Sequence, residues 1–519
     1  MKINKCQLIN EKVIEFGDIN IFVGPNGVGK TTFLNEIREY FGRGDSSKFW
    51  VKRLEWDTPS PEDASIIKEH CRQIVEYNDH GDEIIKYSVE HNNNIYGGYD
   101  SSAVSNIYEK ELYDDLCRLS DGDLSKKLNL PNRFFTHPIY IGHEETGQRL
   151  SISGSQAVTD TQHPLKDVYN VMLNNLDFQK EACEAFKNCF HKNLFLSAHR
   201  RAEIEILVGE EKDETIIKSF VGKTNDQIKS LKEKNKIFIL DRVGDGMRAG
   251  AKMIFSLFDP DKLIVFIDEP EAFIHPKQKI NLARELKTLS KKRKKQLFFS
   301  THDVSFLFGL LDGVDPSINI NIFYLKEQGH VIPLPNFNAK DLKIKPGTKQ
   351  QKYLLSLFHE ASIFVEGPND RCFYENAINY LFASKLSEKD LVFTDTGGAS
   401  QAIQIVKFVR DSDINAAFIF DKDVLGPNTE KQQKIVEIYS ALGGQEDLKA
   451  FIESNDFEGA IAVLKKVGVF IVPEGGLESW SAKGIKKDDF PYDVIEEMIS
   501  KPTKKFMDFV EQIFEYIKF

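Results

Sequence analysis

Thiol chemistry has little footing in this chain. Its six cysteines, Cys6, Cys71, Cys117, Cys183, Cys189 and Cys372, lie scattered through 519 residues with no C-x-x-C pair. That spacing argues against a zinc site and against a disulfide framework, and a reducing cytoplasm fits it best. Long apolar runs are missing too. No stretch would span a bilayer, and the opening MKINKCQLINEK lacks the apolar core of a signal peptide. A cytoplasmic protein with no membrane partner is expected. Nor is there an excess of positive charge. The 68 Lys and Arg stand against 79 Asp and Glu, a net −11, which excludes indiscriminate adhesion to nucleic acid but leaves room for a local basic groove. The densest basic run, Lys291-Lys292-Arg293-Lys294-Lys295, reads as a solvated helix end before it reads as a binding patch. Repeats and low-complexity tracts are absent. What remains is an ordinary globular composition, 41% hydrophobic and 28% charged, long enough for two to four domains with real cores.

The chain begins with short strand-like runs, then a glycine-rich loop and a helical pattern from Thr32 to Tyr40. From about Trp50 to Phe190 it turns polar and irregular, with a hairpin-like stretch at Asp79–Asp100, and reads as an insertion in the first domain. Order returns with a strand at Leu263–Ile267, a helix at Pro276–Lys291 and a strand at Gln296–Ser300. Strand, helix, strand implies a βαβ unit and a parallel sheet. Pro333–Gln350 is the best linker candidate. Beyond it, strands at Ile363–Val365, Leu391–Phe393, Ala417–Phe420 and Val469–Val472 alternate with helices at Asp370–Leu381 and Ala399–Val409. The expected architecture is α/β throughout: a first domain over residues 1–345, interrupted by a mixed α+β insertion over about 50–190, and a smaller Rossmann-like domain over 346–519.

Gly24-Pro25-Asn26-Gly27-Val28-Gly29-Lys30-Thr31 fits G-x-x-x-x-G-K-[ST] between a strand and a helix. Asn26, Gly27 and Gly29 form a backbone cradle for phosphates at the helix N-terminus, where Thr32 also lies. Lys30 reaches the β- and γ-phosphates, and Thr31 offers its hydroxyl to Mg²⁺. The run Leu263–Ile267 delivers Asp268 and Glu269, read as the water-mediated Mg²⁺ holder and the general base. His302, at the end of the next strand, can sense the γ-phosphate. ATP is the expected nucleotide.

A second acidic constellation lies in the C-terminal part. Ile363–Val365 delivers Glu366 with Asp370 four residues on, and Ala416–Phe420 delivers Asp421 and Asp423. Carboxylates gathered at strand ends repel one another unless a divalent cation neutralises them, which points to Mg²⁺ or Mn²⁺ and to phosphodiester chemistry.

"FIDEPEAFIHP" and "FSTHD" resemble the Walker B and histidine switch of ABC-type ATPases of the structural-maintenance and RecF-like branch. Gly244-Asp245-Gly246-Met247-Arg248 stands where that group carries its signature motif. Glu366-Gly367, Asp370, Gly397-Gly398 and Asp421-x-Asp423 resemble a TOPRIM domain, and the order of head, linker and TOPRIM is similar to that of the OLD-family ATP-dependent nucleases. That group includes the Gabija nuclease and the ATPase–TOPRIM effectors of some retrons, and the "VEGPND" and "GLESW" forms also look like the TOPRIM partner of the PARIS system. The resemblance implies that two heads sandwich ATP, with Gly246 of one facing Lys30 of the other in a homodimer or higher homo-oligomer. It implies catalytic or metal-binding duty for Glu366 and metal binding by Asp421 and Asp423. Asp370 falls at a second-metal position, Glu478 is a candidate to complete it, and Lys483 is a candidate for stabilising transition-state charge. The function so implied is an ATP-regulated, metal-dependent endonuclease, on DNA before tRNA, serving prokaryotic anti-phage defence. A reverse transcriptase with its RNA and DNA, or a helicase, is the kind of partner expected. The alternatives are a RecF-like ATP switch whose TOPRIM domain binds without cutting and, more weakly, a priming activity, which the lack of zinc spacing disfavours.

Overall fold

The computed structural model describes residues 2–43, 49–57, 175–200, 203–259, 262–313, 317–326, 330–334, 354–387, 389–397, 399–426, 430–473, 475–480 and 491–518, with short pieces between 60 and 172. Contacts divide the chain into two compact units: Met1–Phe22 with Gly29–Phe323 and Glu327–His330, and Val23–Val28 with Tyr324–Lys326 and Val331–Phe519.

Around the P-loop runs a six-stranded sheet in the order His330–Pro333, Ile320–Lys326, Ile19–Val23, Gln296–Ser300, Ile264–Asp268, Ile141–Glu144. INIFV, QLFFS and IVFID are buried at every position. Unbroken apolar runs suit strands covered on both faces, and the ladders joining these three strands, and Ile264–Asp268 to Ile141–Glu144, are parallel. The polar residues in these runs are hydrogen-bonded, as burial demands. Asn20 accepts from Gly17 N–H at 2.8 Å and donates to Gly17 O at 3.1 Å. Gln296 accepts from Ile3 N–H at 2.9 Å and donates to Ile3 O at 2.8 Å, which fastens the central sheet to the strand Ile3–Leu8.

The helix expected after Glu269 spans Pro276–Lys292, with proline pre-set at its first turn and Leu282, Ala283, Leu286 and Leu289 buried. The basic run at its end is largely open to solvent at Lys291, Lys292 and Lys294, and several of its members also have partners. Lys292 and Arg293 pair with Glu181, Arg293 lies 3.8 Å over the Phe178 ring, and buried Lys295 donates to Asp259 O at 2.6 Å.

The stretch 50–190 is more regular than its composition suggests. Val51–Trp56 pairs antiparallel with Ile3–Leu8, and Ile141–Glu144 joins the central sheet beside Ile264–Asp268. Leu176–Phe190 is a helix, capped by the Asn175 side chain and burying Ala182, Ala185, Phe186, Cys189 and Phe190. Cys71–Tyr77, Glu83–Val89 and Asn106–Glu109 form an antiparallel sheet of their own. Of the hairpin expected within Asp79–Asp100, Glu83–Val89 is a strand of this sheet, and the rest of those bounds lies outside the described residues.

The second unit holds a four-stranded, all-parallel sheet in the order Leu391–Asp395, Ala361–Val365, Ala416–Phe420, Val469–Ile471. The helices Pro368–Leu381, Pro491–Ser500 and Lys504–Tyr516 pack Phe373, Tyr374, Phe506 and Phe509 with Phe470 and Trp480 into its main core. The first of these helices begins at Pro368, not at the expected Asp370, because proline fits the first turn, where its missing N–H costs nothing. Most of the expected linker, beyond Leu334, lies outside the described residues.

One buried carboxylate ties the P-loop helix Lys30–Arg43 to the chain that follows. Glu36 is 1% exposed and accepts from the N–H groups of Phe49, Trp50 and Val51 at 2.9, 3.0 and 2.9 Å. Glu36→Ala strands these donors and is expected to cost about 3 kcal/mol, with Glu36→Gln losing less. Denaturant unfolding of the head would check this; equal midpoints for the alanine variant and wild type would contradict it.

Candidate nucleotide and metal sites

Two glycines give the P-loop its shape. Gly27 and Gly29 have φ of 77° and 95°, the left-handed region open to glycine without strain. Asn26 and Gly27 are exposed ahead of the helix Lys30–Arg43, and Thr31 and Thr32 are exposed in its first turn. Lys30 is buried. Burial lowers its pKa, and the carboxylates of Glu271, Glu269 and Asp268 act in the opposite sense.

Asp268, at the end of its strand, meets this loop. Thr31 Oγ1 donates to its two carboxylate oxygens at 3.0 and 3.1 Å, and Ser300 Oγ donates to Oδ1. The structure thus brings together the hydroxyl and the carboxylate read as Mg²⁺ ligands, and both are the hard oxygen donors that ion takes. Glu269 follows with φ of 47°, a strained conformation for a side-chain-bearing residue and common at functional sites. Its N–H donates to Ser300 O at 2.9 Å, and Thr146 Oγ1 donates to its Oε2 at 3.4 Å. His302 Nδ1 lies 3.9 Å from Glu269 Oε1.

Sequence reading passed over Glu271. Its side chain is 3% exposed, and Oε1 accepts from His302 N–H at 2.9 Å with His302 Nδ1 at 3.2 Å. Oε2 is buried and meets no donor among the described residues. Burial raises this carboxyl above the usual carboxylate range, against the opposing pull of the His302 N–H. The only signal in the sequence was a second glutamate two residues after Glu269.

Gly246 lies in the first turn of the helix Asp245–Ser256. A Cβ there would stand 2.6 Å from Phe273 O, so glycine is required by the chain's own loop after Glu269. Phe273 itself is half exposed and has φ of 69°.

In the second unit the parallel registers bring strand ends to one edge. Val365 lies opposite both Asp395 and Ile419, so Glu366, Asp395 and Asp421 emerge together. Asp395, buried, was not singled out from sequence, although the run LVFTD ends in it. Asp370 Oδ2 accepts from Gly367 N–H at 2.9 Å, which caps the helix Pro368–Leu381. Glu366 Oε2 is buried with no donor among the described residues. Lys431 supplies the positive charge: its ammonium lies 3.7 Å from Glu366 Oε1 and pairs with Asp423 Oδ2. Burial works against the Lys431 charge, yet its pKa is raised, because Asp423, Glu366 and Asp421 outweigh that cost. An all-carboxylate donor set with one unsatisfied buried oxygen fits Mg²⁺ or Mn²⁺. No three His, Cys, Asp or Glu side chains among the described residues are grouped as a finished metal cage.

Lys422 N–H donates to Gly475 O at 2.8 Å, which draws the turn Leu477–Trp480 toward the same edge. There Trp480 Nε1 donates to the fully buried Tyr374 hydroxyl at 2.9 Å. The side chain of Glu478, and Lys483 altogether, lie outside the described residues.

Residues 169–307 match the family model described as "AAA domain, putative AbiEii toxin, Type IV TA system", and residues 357–423 match "Overcoming lysogenization defect protein-like, TOPRIM domain". The chain is thus a mixed α/β protein with an ATPase domain and a C-terminal TOPRIM domain. Among solved structures it is similar to the SMC head domain from Thermotoga maritima, at 13% identity and a TM-score of 0.30 over 64% of this chain and 100% of that one. An Smc head with an extended coiled coil, bound to the C-terminal domain of ScpA from Pyrococcus furiosus, gives 10% identity and a TM-score of 0.32 over 66% and 98%. No curated protein matches the chain. No described helix is long and apolar enough to cross a membrane.

Tyr374→Phe leaves the Trp480 indole N–H unpaired in the core and is expected to cost about 1–3 kcal/mol. The unfolding midpoint of the second unit should fall while nucleotide binding at Lys30 holds. An unchanged midpoint, read by tryptophan emission in denaturant, would count against that role.

Proposed function

We propose, from a chain that joins an ATPase domain to an OLD-like TOPRIM domain as OLD-family ATPase–TOPRIM proteins do, that this protein is an ATP-regulated, divalent-metal-dependent endonuclease. Its substrate is nucleic acid, DNA before tRNA, and its setting is prokaryotic anti-phage defence in the cytoplasm. The observation that carries the reading is the acidic sheet edge, where Glu366 keeps a buried oxygen with no donor among the described residues and shares Lys431 with Asp423.

At that edge Glu366, Asp421 and Asp423 would hold Mg²⁺ or Mn²⁺, with Asp370 and Glu478 as candidates for a second ion. A metal held there would stabilise charge on the entering and leaving oxygens of a phosphodiester. Lys483, and Lys431 once displaced from Asp423, are the cations available to a phosphate. In the head, Lys30 and the P-loop N–H groups bind the ATP phosphates, Thr31 and Asp268 hold Mg²⁺, and Glu269 takes the proton of the attacking water. Phosphodiester hydrolysis is downhill, so ATP sets a conformation and does not drive scission. A homodimer with Gly246 of one head toward Lys30 of the other is the assembly this implies.

A second reading has one observation in its favour. Lys431 already neutralises Asp423 and Glu366, as it would in a RecF-like switch whose TOPRIM domain binds without cutting.

Asp421→Ala is expected to abolish Mn²⁺-dependent cleavage, by at least about a hundredfold, while ATP binding stays at the wild-type level. Cleavage by the variant at the wild-type rate would sink the nuclease reading. Failure of the wild type to cut DNA or tRNA, with its partners present, would favour the switch. Lys30→Ala should change the control of cleavage by ATP and leave its metal dependence unaltered, with sedimentation showing whether the assembly persists.

A further inference from the structure

We propose that Glu271 is a positioning residue that fixes the imidazole of His302 for recognition of the γ-phosphate. The inference rests on the ATPase reading of the head and adds a residue to it. Glu271 is three residues beyond Asp268 and is nearly sealed from solvent, a costly place for a carboxylate without a task. One of its oxygens, Oε1, engages both the backbone N–H of His302 and ring nitrogen Nδ1, at 2.9 and 3.2 Å. These two contacts restrain the residue at its backbone and at its ring.

The chemistry follows from the second contact. Glu271 Oε1 stands 3.2 Å from Nδ1, so a proton on that nitrogen faces the carboxylate, and Nε2 is the nitrogen on the far side of the ring. Where Nε2 carries a proton, Nε2–H is a donor suited to a phosphate oxygen. The ring is otherwise loosely held: its side chain is 43% exposed, and Glu269 Oε1 is 3.9 Å from Nδ1, beyond hydrogen-bond range. Glu271 is also the strongest of the carboxylate influences on buried Lys30. One buried group therefore acts on both side chains expected to meet the terminal phosphate.

The test is a double-mutant cycle on the ratio of ATP to ADP affinity, read with fluorescent ATP and ADP analogues on the full chain. His302→Ala is expected to lower the ratio by roughly tenfold, the size of one charge-assisted hydrogen bond. Glu271→Ala should lower it by a similar factor, and the double variant should be no lower than either. Glu271→Gln, whose amide oxygen can still accept from the His302 N–H and sit beside Nδ1, should keep the ratio within about threefold of wild type. Glu271→Asp removes a single methylene, a far smaller void than alanine leaves, and draws the oxygen back by about one carbon–carbon bond, so it should lose discrimination even if the alanine variant does not fold. ADP affinity should hold in every folded variant. Losses that multiply in the double variant, or Glu271→Asp discriminating as well as wild type, would overturn the inference and leave the ATPase reading standing. A wild type that prefers ATP no more than ADP would overturn it as well. A wild type that binds neither nucleotide would sink the ATPase reading and this inference together.

Discussion

Negative charge collected at the end of a buried parallel strand has to be answered by something. Parallel strands point the same way, so residues just past their C-terminal ends meet at one edge, out of reach of the ladder's own N–H groups. This chain does it twice, with Asp268 and Glu269 after one buried run and Glu366 and Asp421 after two others. The answers differ. Asp268 is met by the hydroxyls of Thr31 and Ser300, neutral donors that fix it in place and leave its charge standing. Glu366 and Asp423 are met by an ammonium group, which offsets charge. The first edge is held by neutral hydroxyls, and the second is balanced by an ammonium group.

What could be read from the sequence was whatever depends on short spacing. The P-loop, the acids after Ile264–Ile267 and the histidine after Gln296–Ser300 are local patterns, and the structure draws Lys30, Thr31, Asp268 and His302 to one sheet edge. Strand positions in the second unit were legible for the same reason, since IFV and AAFIF are apolar runs with buried partners on both sides. The ends were less so. Leu391–Asp395 continues two residues past its last apolar side chain because Thr394 and Asp395 stay paired with Phe364 and Val365 in the ladder.

The residues that were missed are those whose meaning is tertiary. Glu271 sits in a turn, where a glutamate reads as solvated, and only the fold buries it under His302. Lys431 reaches Asp423 from a helix whose sequence carries no motif. Leu176–Phe190 is a different case. Its cap at Asn175 and its apolar spacing were both present, but the polar stretch before it masked them. Gly246 shows that one residue type can have two reasons. A signature-like motif reads it as facing a partner, while the Phe273 carbonyl beside it demands glycine within the single chain.

The chain has three tryptophans, and two of them stand where the chemistry is expected. Trp50 lies against Gly29, its ring 3.1 Å from where a side chain on that glycine would begin, and it is 7% exposed. Trp480 is 3% exposed and bonded to Tyr374 beneath the carboxylate edge. Each site thus carries its own built-in chromophore. Intrinsic emission becomes a two-channel readout, in which Trp50→Phe silences the channel at the P-loop and Trp480→Phe the channel at the acidic edge. The order in which the two sites respond to ATP can then be timed by stopped flow without attaching a label.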